Sequence, residues 1–443
     1  MLRYPWKLEG LLTRRLTAPL FLVTTLSCVG ATSDVPAGAS RAPASGAAGA
    51  DDSGVGDVPV SSEPEVEVES VGDQVVDDGW IFSRDRVHSL EIELPPESWD
   101  GLQAAPREYV PADIVFDGFE VEDVGMRLRG KLGSFRTLDG KPKIRLDFNR
   151  YLPGRQFHGL EALSLNASLT DCSYVKEPLV YTLFEAMGVR TSRAAFVRVT
   201  VNDMDYGLYV LVETQDDRLL DRHWGDFAGN LYDGKYVLWA DGSYTLLDFG
   251  EGHDTLFELE EGEDVGHADI RAISEAYLAG DGAGAILDRT AVLLDWDNLH
   301  RVWAVSQYVG QNDGYALNKN NYRIHFRASD GRAEMVPWDF DHSFYEDHWW
   351  SRSWASPSGN LARACFQDPT CWAGQQAAVA ELLAVLPDLD LPARNAELQA
   401  LTAWHAENDP RRECGVSDVH STRAHVTTWL TTRADYMRSF WGL

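Results

Sequence analysis

An acid and three amides crowd nine positions of this chain: Asp313, Asn318, Asn320 and Asn321, in the stretch NDGYALNKNNYRIH, with Lys319 among them. About ten residues further on, MVPWDFDHSF adds Asp339 and Asp341. Carboxylate and amide oxygens are the ligands a hard cation such as Mg²⁺ takes, while it keeps several waters and shares phosphate oxygens. A carboxylate in such a site can also act as base toward a hydroxyl. The bland alternative is a loop, because Asn and Asp side chains bond their own backbone and collect in turns. The surrounding pattern favours chemistry. Asp313 follows the apolar helical run VWAVSQYVG, and NYRIHF and AEMVPWDF read as a hairpin that returns Asp339 toward Asn318 or Asn321. Two acids beside Trp338 and Phe340 are also costly unless something neutralises them.

These residues need a scaffold, and 443 residues, 44% hydrophobic and 11% aromatic, supply one. At about 100–200 residues per domain, the chain should fold as two or three units. From Trp80 the pattern is β-rich. VHSLEIELP alternates as a strand, YVPADIVFDGFEVEDVGMRLRG reads as two or three strands around an Asp-Gly turn, and KPKIRLDF sends Lys141, Lys143 and Arg145 to one face. SYVKEPLVYTLFEAMGV predicts a helix from about Ser173 to Gly188, with Glu177 at its start. AAFVRVTVND and DYGLYVLVET form a hairpin around Asn202–Asp205. Beyond residue 265 helical periodicity takes over to the end. The expected architecture is α+β and two-lobed, with a β-rich N-lobe over about 79–235, a helical C-lobe over about 236–443, and a cleft between them.

The N-terminus reads as an export signal over residues 1–28: Arg14 and Arg15 precede LTAPLFLVTTLSCVG, an apolar run too short to span a bilayer. Cys28 is a candidate lipid-anchor site, although Thr25 replaces the usual Leu. The protein is therefore expected to be exported, as a cell-envelope lipoprotein or a secreted one. Residues 29–78 are Ala, Gly, Ser, Pro, Val and acid, a composition too polar to fold alone, and read as a disordered linker. Ten acids and no Lys or Arg lie between Asp51 and Asp78. The net charge of −30 excludes nucleic acid and anionic membranes as partners. Cys172, Cys365, Cys371 and Cys414 form an even set, suited to disulfides in an exported chain, with three pairings open.

The interval from Asp313 to Asn318 equals that between base and metal ligand in the protein-kinase catalytic loop. Asp248-Phe249-Gly250 imitates another kinase motif but precedes Asp313 by 65 residues, the wrong order; His300-Arg301 lacks its Asp. Longer blocks carry more weight. LRGKLGSFRTLDGKPKIRLDFNRYLPGRQFHGLEALSLNASLTDCSYVKEPLVYTLFEAMGV, FVRVTVNDMDYGLYVLVETQDDRLLDRHWGDFAGNLYDG, NDGYALNKNNYRIH and MVPWDFDHSF, in this order, resemble the CotH kinase family over about residues 85–440. The resemblance implies an atypical kinase-like fold and phosphoryl transfer from ATP to protein Ser or Thr with Mg²⁺ or Mn²⁺. It implies Asp313 as base, Asn318 or Asn321 as amide ligand, and Asp339, with Asp341 second, as metal ligand. DCSYVKE matches a family block with Lys176 in place of Arg and makes Glu177 the helix acid that pairs a strand lysine. Lys141 is the favoured partner for the α/β-phosphates, with Arg145, where the family commonly has Lys, as rival. Glu213 falls where a hinge would meet the nucleotide; Asn166, which could be a nucleotide contact specific to the family or an Asn-Ala-Ser glycan acceptor, is read by preference as a structural loop residue. Two other classes stay open: a kinase-like surface or coat protein without activity, and a secreted metal-dependent enzyme on carbohydrate, for which fifteen tryptophans would suit sugar stacking.

Overall fold

The computed structural model describes residues 78–131, 133–225, 229–280, 285–345 and 353–443. The expected leader, Cys28 and the linker up to residue 77 lie outside the described residues. Alternation builds the first half. In β1 (Val87–Glu93), Leu90 and Ile92 are buried while Ser89, Glu91 and Glu93 are exposed. After α1 (Pro96–Ala104), β2 (Val110–Phe116) and β3 (Phe119–Arg129) join at Asp117–Gly118, both at positive φ, the Asp-Gly turn marked by the sequence. β4 (Lys143–Asp147) and β5 (Ala162–Asn166) follow, then α2 (Lys176–Ala186). β6 (Ala194–Val201) and β7 (Met204–Glu213) make a hairpin through Asn202 and Asp203, also at positive φ.

The seven strands close into a barrel in the order β1-β2-β3-β4-β5-β7-β6, sealed by the parallel pair β1–β6. Closure is a finding the strand pattern does not disclose, since an open sheet would alternate in the same way. Leu90, Phe116, Leu128, Ile144, Leu163 and Leu211 fill its interior. Phe196, Leu208 and Val210 point outward into a second, larger core.

That core is built by the remaining elements. They are α3 (Asp217–Trp224), β8 (Gly229–Asp233), the short ribbon β9 (Val237–Leu238) and β10 (Tyr244–Thr245), β11 (Glu258–Glu261), α4 (Ala268–Leu278), α5 (Ile286–Thr290) and α6 (Trp296–Tyr308). Then come α7 (Tyr315–Asn318), β12 (Tyr322–Arg327), β13 (Ala333–Pro337), α8 (Asn360–Gln367), α9 (Pro369–Leu389), α10 (Leu391–Leu401), α11 (Ala403–Glu407) and α12 (Val416–Trp441). A four-stranded sheet, β11-β8-β12-β13, packs among these helices. The helix α2 starts at Lys176 rather than Ser173, because Asp171 accepts from the backbone N–H of Ser173 and of Lys176 and holds the preceding residues in a loop. Its Leu179, Leu183 and Phe184 lie in the larger core, although α2 falls within the stretch expected to be β-rich. Cys365 and Cys371 form a disulfide. Cys172 and Cys414 are free, and each perturbs the other's thiol.

Candidate functional site

Two elements present Asp313 and Asp339 to one another. The helix α6 ends at Tyr308, and two residues on, Gly310, at a positive φ of 61°, lets the chain turn; a Cβ there would lie 2.4 Å from the Tyr345 carbonyl oxygen. The next residues, Gln311 to Asp313, therefore emerge from a buried helix end. In the β12–β13 hairpin Tyr322 pairs with Pro337, so Asn321 and Trp338 are adjacent and the Trp338 N–H reaches the Asn321 carbonyl at 3.4 Å. Asn321 and Asp339 both adopt positive φ. That register sets Asn321 between the two acids: its Nδ2 donates to Asp313 Oδ2 at 3.1 Å and to the Asp339 carbonyl at 3.4 Å. Gln311 Nε2 donates to the same carbonyl at 2.9 Å. The Asp313 carboxylate also accepts from Asn318 and, at 3.2 Å, from Asn320. The sequence cluster converges in space.

The third element is β4. Lys143 Nζ lies 3.4 Å from Asp339 Oδ2 and 3.4 Å from Asp341 Oδ2. Phe340, between the two acids, packs on Tyr181 and Phe184 of α2, with ring centroids 5.0 and 5.2 Å apart. One aromatic contact thus fixes the acid pair relative to the helix that carries Glu177. Glu177 is buried and accepts from Asn166 Nδ2 at 2.5 Å. Lys176 donates to the Asp341 carbonyl at 3.0 Å.

Crowded acids in a dry site separate in basicity. Burial, then Asp339 and Asp341, push Glu177 up to about 8 against the pull of Lys143 and Asn166. Burial, then Asp341, raise Asp339 to about 6. Asp341, despite its burial, is held below the usual carboxylate range by Lys143, His342, Thr170 and Lys176. Asp313 is raised, chiefly by burial, although Asn318 and Asn320 oppose the shift.

Oxygen chemistry fits a divalent cation here. Asp339 Oδ1 is buried with no hydrogen-bond partner, an arrangement costly for a carboxylate. Lys143 pairs with both Asp339 and Asp341 and is shared between them. Asn318 and Asn321 spend N–H groups on Asp313, which leaves their amide oxygens for a ligand. Among the described residues no three acid, His or Cys ligand atoms lie within 4.8 Å of one another except those of His300, Cys365 and Cys371, and those cysteines are disulfide-bonded. A site of one or two carboxylates completed by phosphate and water is the Mg²⁺ pattern.

Two sequence expectations need correction. Lys141 does not face the acids. It precedes the strand, beyond Pro142, so the alternation that orients Lys143 and Arg145 does not extend to it. Its Nζ bonds Asp409 Oδ2 at 2.5 Å and the Leu208 carbonyl at 2.6 Å. Lys143 holds the place expected of Lys141. Nor is Glu213 free to meet a nucleotide: Arg193 and Arg222 both donate to its carboxylate, as does the Arg193 backbone N–H. Arg145 lies on the same strand face as Lys143, opposite Arg127 across β3. Asp248 has a structural environment. It is buried and accepts from the Tyr315 hydroxyl and the Asn360 N–H, each at 2.8 Å, so its resemblance to a kinase motif is incidental. Asn166 is the last residue of β5 rather than a loop residue, and it reaches the site through its hydrogen bond to Glu177.

Residues 126–437 match the family model described as CotH kinase protein. The inner spore coat protein H of Bacillus subtilis (strain 168) is 23% identical over 281 residues, 59% of this chain and 68% of that protein. Among solved structures, the Helicobacter pylori proinflammatory kinase CtkA is matched over 75% of this chain and 91% of its own. Its identity is 7% and its TM-score 0.25, a superposition too loose to carry residue correspondences.

Proposed function

From the premise that this chain belongs to the CotH kinase protein family, we propose that it transfers the γ-phosphate of ATP to a serine or threonine hydroxyl of a protein substrate. The reaction takes place outside the cytosol, with the chain exported and anchored or released through its N-terminal segment. The observation that supports this reading best is the pairing of a carboxylate braced by three amides with a second carboxylate whose oxygen is buried and unpartnered, 26 residues apart in sequence and bridged by Asn321.

Asp313 orients the acceptor hydroxyl and takes its proton as the new O–P bond forms and the bond to ADP breaks. Its raised pKa suits a base better than that of a solvated aspartate. The amides of Asn318, Asn320 and Asn321 fix the carboxylate's plane so that little reorganisation is needed. A divalent cation such as Mg²⁺, held by Asp339 with Asp341 and an amide oxygen of Asn318 or Asn321, would neutralise charge on the transferring group. Lys143 neutralises the acid pair before the nucleotide arrives and is placed to meet a phosphate oxygen afterwards. Glu177 and Asn166 keep α2 in register with that lysine.

Incubating the protein with labelled ATP and Mg²⁺ or Mn²⁺ tests this. The parent is expected to label itself or an added protein, and Asp313→Ala to lose roughly two or more orders of magnitude in rate with its thermal midpoint kept. Transfer by Asp313→Ala at the parent rate would overturn the assignment. No product from the parent with either metal would favour a binding protein.

A further inference from the structure

The barrel face that carries Lys143 holds more cations than the acids in ion-pair contact with it answer. In the β3–β4 register Arg127 stands directly opposite Arg145, and Arg129 directly opposite Lys143. Side chains of such pairs lie about 5 Å apart at Cβ, and like charges placed so repel. Four cations therefore share one patch of sheet in a protein of net charge −30.

Lys143 is answered by Asp339 and Asp341, and Arg127 rests over the Tyr109 ring at 5.2 Å. Arg129 has no hydrogen bond or ion pair among the described residues. Arg145 likewise has none, and its Nε is buried without a partner. Acids act on the two arginines only at longer range: Asp339 on Arg129, and Asp216, Glu260 and Glu261 on Arg145, with burial raising Asp216 and Glu261 while Arg323 and Lys235 hold Glu260 down against its burial. Both guanidiniums are half-buried, and one left without a carboxylate can take an anion, its planar fork gripping phosphate oxygens in pairs. The patch borders the acids proposed to carry the metal, so the anion would be multiply charged and would extend away from them along β3 and β4. Arg129 also stands where the chain leaves β3, next to Gly130, whose φ of 112° excludes a side chain because a Cβ would fall 2.6 Å from the Ser134 carbonyl oxygen.

The geometry assigns Arg129, working across the ladder with Arg145 and Lys143, as a ligand of the nucleotide's polyphosphate chain. This inference deepens the phosphotransfer reading and rests on it for the identity of the polyphosphate. Arg129 binds; the proton transfer belongs to Asp313.

The experiment measures binding of inorganic tripolyphosphate without metal, and of Mg-ATP, to the parent and to Arg129→Gln and Arg129→Lys by calorimetry. Thermal unfolding without ligand is measured on the same samples. Arg129→Gln should weaken both ligands roughly ten- to hundredfold, the range for losing a charge-assisted pair of hydrogen bonds. Arg129→Lys should fall between, because it keeps the charge and loses the fork. Without ligand, Arg129→Gln should unfold at the parent temperature or above, since it relieves repulsion, whereas a structural arginine would lower it. If Arg129→Gln does not fold, the decision passes to Arg129→Lys, and unchanged binding by that variant overturns the inference. Equal affinity in the parent and Arg129→Gln, or a parent that binds neither ligand, also overturns it. The two readings can fail separately. Binding that depends on Arg129 without any phosphate transfer would remove the kinase reaction and leave the anion site. Transfer with the same KM in Arg129→Gln would remove the anion site and leave the reaction.

Discussion

Two lysines that stand two positions apart, both buried, meet opposite fates. Lys141 is enclosed. Its Nζ has the Asp409 carboxylate, the Leu208 carbonyl and the Tyr174 hydroxyl at 2.5, 2.6 and 3.3 Å, and the rings of Tyr174 and Tyr209 at 4.8 and 4.9 Å. Asp409 is itself completed by the Tyr174 hydroxyl and the Leu208 N–H. Lys143 is strung between two carboxylates at 3.4 Å each, and one oxygen of that pair has no partner. Closed polar networks stabilise and hold still; a network left short of one partner is where a ligand enters. The difference separates a structural staple from a working site, although both lysines sit in one short motif.

The comparison can be broken at either lysine. Lys141→Met strands the buried Asp409 charge and should cost about 3–5 kcal/mol of stability, seen as a lower urea midpoint that Mg²⁺ does not restore. Pairing it with Asp409→Leu should recover much of the loss, and failure to recover would mean that Lys141 does more than pair. Lys143→Met should lower phosphate transfer by about a hundredfold or more, with a stability loss that Mg²⁺ does recover, because the freed acids can then be neutralised by metal. If Lys141→Met proved the inactive and stable variant, the two lysines would have to exchange roles. Asp339→Asn should abolish the metal-dependent rise in thermal midpoint, which for the parent corresponds to about 2.7 kcal/mol at a hundredfold excess over Kd. An undiminished rise would move the metal elsewhere.

The smallest effect is on pH dependence. Glu177 titrates near 8 in the fold against an ordinary 4.5, so the native state holds its proton more tightly than the unfolded chain does. The stability it lends is complete below about pH 4.5 and is lost as pH rises through about 8. Without metal, the thermal midpoint should fall across that window, and Glu177→Gln should flatten the fall. An identical slope in both proteins would place the titration on another group.

Much of this was legible in the sequence, for identifiable reasons. The hairpin of β12 and β13 and the helix before Asp313 announce themselves by period, and their register alone brings Asn321 to Asp339. The Asp-Gly and Asn-Asp turns of the barrel follow from residues that tolerate positive φ. What stayed hidden depends on distant partners. No local pattern tells that β1 and β6 pair to seal the sheet, or that Lys141 turns toward a residue 268 positions away. Lys143 was visible on the same strand face as Arg145, but strand alternation cannot say which cation on a face meets the acids. Arg129 escaped for the same reason: its significance lies in what faces it across a ladder, not in its neighbours along the chain.

The Lys141–Asp409 link also bears on how the protein is made. A ribosome delivers the barrel long before residue 409, so a nascent chain carries an unanswered ammonium group beside Tyr209 and Leu208 until the segment ahead of α12 emerges. Gly207 waits as well, since its lack of a side chain is what admits the Asp409 carboxylate, 2.1 Å from where a Cβ would be. The barrel therefore cannot reach its final stability by itself, and chains cut short before residue 409 should be left to proteases.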